Sequence, residues 1–384
     1  MANDKIPINP DVLRWARQRS GFTYEDLYSQ FKKIKDWEEG ISMPTYKQLE
    51  DLSDKLKCPV AVFFFPEPPN IEPIRNSFRT LPDIDYELIP PVVRLLLQKA
   101  KSMQINLEEL NEQSPLYEKS LLKDLNFDLN TPLENIAAEI RKYLDVPLSR
   151  QMAWNNVEYA FEQWRHIFSL HGIFVFKDAF KADEYSGFCL YHVDFPIIYI
   201  NNSTSKNRQI FTLFHELAHL IFKTSGIDRL HSGYLGNLNN EQEKIEVLCN
   251  KFASVFLVPD DSFKSIIQDM ELNEEGIKTI SQAYKVSPEV ILRKLYDKNM
   301  VSQNYYEKQV DTWNKQYEDF KKKRKAKGGD FYHTQITYLG KDYVNLAFKQ
   351  FFQNKITSTK LADYLNIAPK NLDKFQDKFL MREA

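Results

Sequence analysis

Apolar positions along this chain change period more than once, and the changes outline its elements. From residue 85 to about 170 they recur at helical spacing, as in Leu95-Leu96-Leu97, Leu107 and Leu110, then Ile136, Ala137, Ile140, Tyr143 and Leu144. Three short runs follow at 172–176, 186–191 and 196–201, rich in β-branched and aromatic residues and separated by polar turns, which read as strands. Next comes a largely apolar stretch, Ile210 to Phe214 and again Leu220 to Phe222, with no Gly or Pro between to interrupt a helix. A second helix-period segment covers 241–258 and stops at Pro259, and a C-terminal helical piece covers 344–379. The pattern predicts a mostly helical α+β protein with a small mixed sheet just ahead of the apolar helix.

That helix carries His215-Glu216-Leu217-Ala218-His219. Two imidazoles four residues apart lie on one helical face, one turn apart, which is the spacing a tetrahedral Zn²⁺ needs from two ligands on one rigid element. Glu216, rotated about 100° round the axis, is placed to act as a general base on a water without ligating the metal. A third ligand is available downstream: Glu246, Cys249, Asn250 and Ala253 share one face of the 241–258 helix. Beyond the carboxylate these residues are small, so that helix can come close enough to deliver Glu246. Glu243 is the nearest competitor, and spacing does not exclude it. Cys249 is a conceivable fourth ligand but reads as packing. Two His and one Glu, with the fourth position left to water, form a catalytic rather than a structural zinc set.

The segment 207–220 (Asn-Arg-Gln-Ile-Phe-Thr-Leu-Phe-His-Glu-Leu-Ala-His-Leu), with Glu246-Val247-Leu248-Cys249-Asn250-Lys251-Phe252-Ala253 and Leu257-Val258-Pro259, resembles the ImmA/IrrE family of bacterial and phage metallopeptidases. Cys249 stands where that family usually has Ala, and Val258 where it has Met. The resemblance extends to the preceding strands and to the helical unit at 281–296. It implies a zincin-like core, His215, His219 and Glu246 as zinc ligands, and Glu216 as general base. It also implies limited proteolysis of a DNA-binding repressor, typically of the XRE type, in a stress, mobile-element or phage-related circuit. In proteases of this build the edge strand pairs with an extended substrate, and 197–200 is the expected edge. A donor for the tetrahedral oxyanion is sought between the two zinc helices, where His231 and Tyr234 sit in a Gly-rich loop; His192 and Tyr185 are weaker candidates.

Leu13-Arg14-Trp15-Ala16-Arg17, Gly21-Phe22-Thr23-Tyr24-Glu25-Asp26-Leu27, Trp37-Glu38-Glu39-Gly40 and Pro44-Thr45-Tyr46-Lys47-Gln48-Leu49 resemble the helix-turn-helix domain of XRE-type repressors. Such domains lay their second helix in the major groove. Only nine residues separate Leu27 from Trp37, where about thirteen are usual, so the recognition helix is truncated and DNA binding stays an open question.

Composition narrows the remainder. Lys+Arg of 51 against Asp+Glu of 53 gives a formal charge of −2, so no global field draws the chain to nucleic acid. The basic run Lys321-Lys322-Lys323-Arg324-Lys325-Ala326-Lys327 reads first as a solvated linker. Three scattered cysteines, Cys58, Cys189 and Cys249, argue for a reducing compartment. With no apolar opening segment and no run of membrane-spanning length, a cytoplasmic protein without membrane association is expected. The prolines between Pro66 and Pro73 mark a linker. The expected organisation is a helix-turn-helix-like segment at 1–70, a helical region at 71–170, a zinc peptidase core at 171–305, and a basic linker with a C-terminal helical domain at 306–384. Two other functional classes stay open: a DNA-binding regulator whose zinc domain senses rather than cuts, and a toxin–antitoxin-type interaction protein with a vestigial site. Oligomeric state is not legible from the sequence.

Overall fold

The computed structural model describes residues 4–71, 89–113, 117–224, 227–229, 240–268, 270–323 and 329–383. Packing divides the chain into two units, Met1–Ser102 with Phe180–Ala182, and Met103–Ala179 with Asp183–Ala384.

The first unit begins with α1 (Pro10–Ser20), α2 (Tyr24–Tyr28), α3 (Ile34–Glu38) and α4 (Tyr46–Leu56), then a 3₁₀ turn at Val60–Phe64. Local chemistry sets the starts of three of these helices. Asn9 caps α1, and Thr23 and Thr45 form capping boxes with Asp26 and Gln48 at α2 and α4. α3 has no side-chain cap and its five residues span only about 7.5 Å. Leu13, Ala16, Leu27, Phe31, Trp37, Leu49, Leu52 and Leu56 form the core. Within it Arg17 grips the buried Glu38 with two bonds, of 2.7 and 3.1 Å, and the Tyr24 hydroxyl donates to the same carboxylate at 2.8 Å.

The division falls within α5 (Pro91–Gln113). The second unit continues with α6 (Leu121–Asp124), α7 (Leu133–Tyr143), α8 (Leu148–Ala153) and α9 (Val157–Leu170), then β1 (Phe174–Asp178), β2 (Tyr185–Leu190) and β3 (Ile197–Asn201). α10 (Lys206–Ile221), β4 (Ile227–Arg229) and α11 (Asn240–Leu257) follow. After them come α12 (Asp260–Gln268), α13 (Glu274–Tyr284), α14 (Pro288–Asp297), α15 (Gln303–Lys323), α16 (Phe331–Leu339), α17 (Lys341–Phe352), α18 (Ser358–Tyr364) and α19 (Leu372–Glu383). The protein is mostly helical α+β, as its periodicity predicts. Among the described residues no helix is long and apolar enough to cross a membrane.

The sheet is mixed, in the order β1-β3-β2-β4. β1 runs parallel to β3, with Phe174 beside Ile197, while β2 is antiparallel to both β3 and β4. The segment 197–200 is therefore not the edge strand expected from the sequence. It is central, and every residue of β3 is buried. The unbroken apolar run Ile197-Ile198-Tyr199-Ile200 is what a strand covered on both faces requires, whereas a half-exposed strand alternates. Among the described residues the edges are β1 and the short β4, and the strand patterning of the sequence misses β4.

Each face of the sheet has its own cover. Val175, Cys189, Ile198 and Ile200 belong to the main core with α9 and α10. Phe188 and Tyr199 stack on the opposite face, 5.2 Å apart, and Phe176 meets Tyr343 of α17 edge-on at 5.2 Å. The C-terminal helices thus close the outer face. Arg165 of α9 ties them down: its guanidinium donates to the carbonyls of Val175, Thr337 and Tyr338 at 2.7–2.8 Å, satisfying the carbonyl end of α16. Gly340 follows with φ 87°, and a Cβ there would lie 2.6 Å from that guanidinium carbon, so both backbone and space demand glycine. The far end of α11 is held by the same device. Arg141 donates to Phe256 O, and Gln151 donates to Leu257 O and Tyr284 O.

One buried cation gives the fold a pH signature. Lys177 on β1 is wholly buried, 3.0 Å from a Glu162 oxygen and 3.8 Å above the Phe161 ring. Burial lowers its pKa to about 7, with Arg165 and Lys206 adding to the fall and Glu162 opposing it. Between pH 7 and 10.5 the unfolded chain retains a proton at this lysine that the native state has released, so raising pH favours the native state. In urea titrations, wild-type stability minus that of Lys177→Met is expected to rise by up to about 1.4 kcal/mol per pH unit across this window. A difference that stays flat from pH 7 to 10 would refute the assignment.

Candidate metal centre

α10 begins on a Ser205 cap and presents an apolar face to the core through Ile210, Leu213, Phe214, Leu217 and Leu220. That packing fixes its rotation, and with it the direction of His215 and His219, which are 1% and 2% exposed. α11 lies against it. Phe214 and Phe256 stack at 4.4 Å, and Cys249 and Ala253 are fully buried between larger neighbours. The small residues allow the close approach that their spacing predicts, and Glu246 arrives opposite the two imidazoles.

His215 Nε2 and His219 Nε2 are 3.2 Å apart, and each stands 3.3 Å from one Glu246 oxygen. A tetrahedral ion with ligand bonds of about 2.0–2.1 Å separates its ligand atoms by about 3.3 Å, so the triangle has the edge length that zinc requires. His215, His219 and Glu246 form the group able to hold a metal ion among the described residues. Glu243, the competing carboxylate, is not in it. Neither is Cys249, which packs in the core. Burial pushes the Glu246 carboxyl up, but the charges and hydrogen bonds of His219 and His215 outweigh it and hold the pKa well below the usual carboxylate range. Glu216, wholly buried, sits one residue along from His215.

Each imidazole has a second partner. His215 Nδ1 lies 3.1 Å from Asn250 Oδ1, and His219 Nδ1 lies 3.0 Å from Thr224 Oγ1. The sequence points to neither role. Asn250 shares the face of Glu246, which is a usable hint, but Thr224 lies beyond the end of α10. It is brought back by Lys223, whose φ of 58° turns the chain so that Thr224 N donates to His219 O at 2.8 Å.

The oxyanion candidates His231 and Tyr234 lie outside the described residues. His192 is occupied in its own loop, where Nδ1 accepts the backbone N–H groups of Asp194 and Phe195. Tyr185 is buried at the start of β2 and pairs across the sheet with Arg229. Neither belongs to the metal-holding group.

Residues 169–296 match the peptidase family Peptidase_M78, described as an IrrE N-terminal-like domain. The matched region runs from the end of α9 through α14, so it includes the sheet and all three residues of the triangle, and its fold is zincin-like. Among solved structures, a Mycobacterium tuberculosis transcriptional regulator matches at 17% identity and a TM-score of 0.30, over 42% of this chain and 46% of that one. No curated protein matches the chain.

Proposed function

We propose that the protein is a zinc-dependent endopeptidase that cuts a protein substrate at a limited number of sites. One observation carries the reading: two imidazole nitrogens and a carboxylate meet at the edge length of a zinc tetrahedron, and the buried Glu216 follows His215 on the same helix. The peptidase family match over this region supports it.

Zinc held by His215, His219 and Glu246 would acidify a water and polarise a peptide carbonyl. Glu216 takes the proton at its carboxylate and passes it to the leaving amine. An extended substrate would add to a free sheet edge. β4 is the candidate, since it has one strand neighbour among the described residues, while the other edge strand, β1, packs against α16.

As substrate we favour a DNA-binding repressor of the XRE type, cut in the cytoplasm as part of a stress, mobile-element or phage-related circuit. Residues 1–70 would serve this activity as a docking or shielding element. The five-residue α3 offers a DNA groove little more than one turn of helix, which weighs against sequence reading by this segment.

The test is elemental analysis of purified wild type, His215→Ala and Glu216→Gln. One zinc per chain is expected in wild type and Glu216→Gln, and none in His215→Ala. Absence of metal from all three after zinc addition would overturn the reading. If zinc binds but Glu216→Gln keeps full biological activity, the weight moves to a regulator that senses zinc.

A further inference from the structure

Resting on the zinc reading above, we infer that Thr224, together with Asn250, is a positioning residue that fixes which imidazole nitrogen of each histidine faces the metal. A neutral imidazole carries one N–H, and only the other nitrogen has a lone pair for a metal. The site therefore works only when both Nδ1 atoms are protonated and both Nε2 atoms are bare.

Thr224 enforces this at His219. A hydroxyl has a single proton, and Thr224 donates its own to His219 O at 3.1 Å. Toward His219 Nδ1, 3.0 Å away, the oxygen can then only accept. The proton of His219 must lie on Nδ1, which leaves Nε2 for the metal. Asn250 does the same at His215, through an amide oxygen that cannot donate. The two devices come from different places. Asn250 rides on α11 with Glu246, whereas Thr224 is anchored by the turn at Lys223 and by its own carbonyl, which accepts from Cys189 Sγ of β2 at 3.9 Å. One histidine is thus oriented from the partner helix and the other from the turn that joins α10 to the sheet.

The experiment measures zinc affinity, by competition with a chromophoric chelator, for wild type, Thr224→Val, Thr224→Ser and Asn250→Leu, with the melting temperature of each metal-free protein beside it. Valine keeps the shape of threonine and removes the acceptor; serine keeps the acceptor. Thr224→Val and Asn250→Leu are expected to bind zinc about 10–100-fold more weakly, Thr224→Ser within a few-fold of wild type, and the metal-free Thr224→Val to melt close to wild type. Wild-type affinity in Thr224→Val would overturn the positioning role, as would equal weakening in the Ser and Val variants, which would mark Thr224 as packing alone. A wild type that binds no zinc would instead remove the metal reading itself, so the two failures are distinguishable.

Discussion

Glu216→Gln is expected to lower peptide hydrolysis by about 10²–10⁴-fold while leaving zinc stoichiometry and affinity unchanged. Glutamine is nearly the same shape, and Glu216 is not among the residues that hold the metal, so the substitution removes a proton acceptor and little else. The site would still polarise a carbonyl, but nothing beside it would take the proton from water or return it to the amine. The measurement is turnover of a quenched-fluorescent peptide library by zinc-loaded wild type and variant, with metal content determined on the same samples. Equal turnover would exclude Glu216 as the base. Lost turnover accompanied by lost zinc would show that the residue holds the site together rather than moving protons.

The second large effect lies beneath the candidate metal site. Trp164 is fully buried, and its ring meets Trp154 at 4.8 Å, Phe214 at 4.9 Å and Phe256 at 5.7 Å, all edge-on. Phe214 immediately precedes His215, and Phe256 lies on α11, so both helices of the candidate site rest on this one indole. Trp164→Ala should cost about 3–5 kcal/mol of stability from lost burial and the cavity left behind. Urea unfolding of the metal-free protein reads that loss directly. On the zinc reading, added zinc should recover part of it, by up to about 2.7 kcal/mol at a hundredfold excess over its dissociation constant. A loss below about 1 kcal/mol would mean that the helices are positioned elsewhere.

Most of what builds the candidate site could be read before any coordinates, for reasons that differ by residue. His215, Glu216 and His219 are local: one helix and a spacing of four place them, and the largely apolar stretch with no Gly or Pro guarantees the helix. Glu246 needed one further step, the small residues Cys249 and Ala253 on its face, which let two helices approach. Asn250 and Thr224 escaped because their roles depend on tertiary distance and on a left-handed residue, Lys223, that no propensity demands. The sheet shows the same limit. Three strands are legible from composition, but their order depends on long-range pairing, and the all-apolar pattern of β3 belongs to the centre of the sheet rather than to the expected edge. β4 has three residues, too few to show a period. In the N-terminal unit, the shortened spacing between Leu27 and Trp37 corresponds to the brevity of α3.

Glu246 and Asn250 stand one turn apart on the same helix, one facing the His215 and His219 Nε2 atoms and the other facing His215 Nδ1. Sliding or tilting α11 therefore moves both contacts together, drawing away a carboxylate and releasing an imidazole in a single movement. In the proposed site the seating of that helix would then act as a latch on metal retention, since whatever shifts it would weaken two contacts to the metal-facing groups at once.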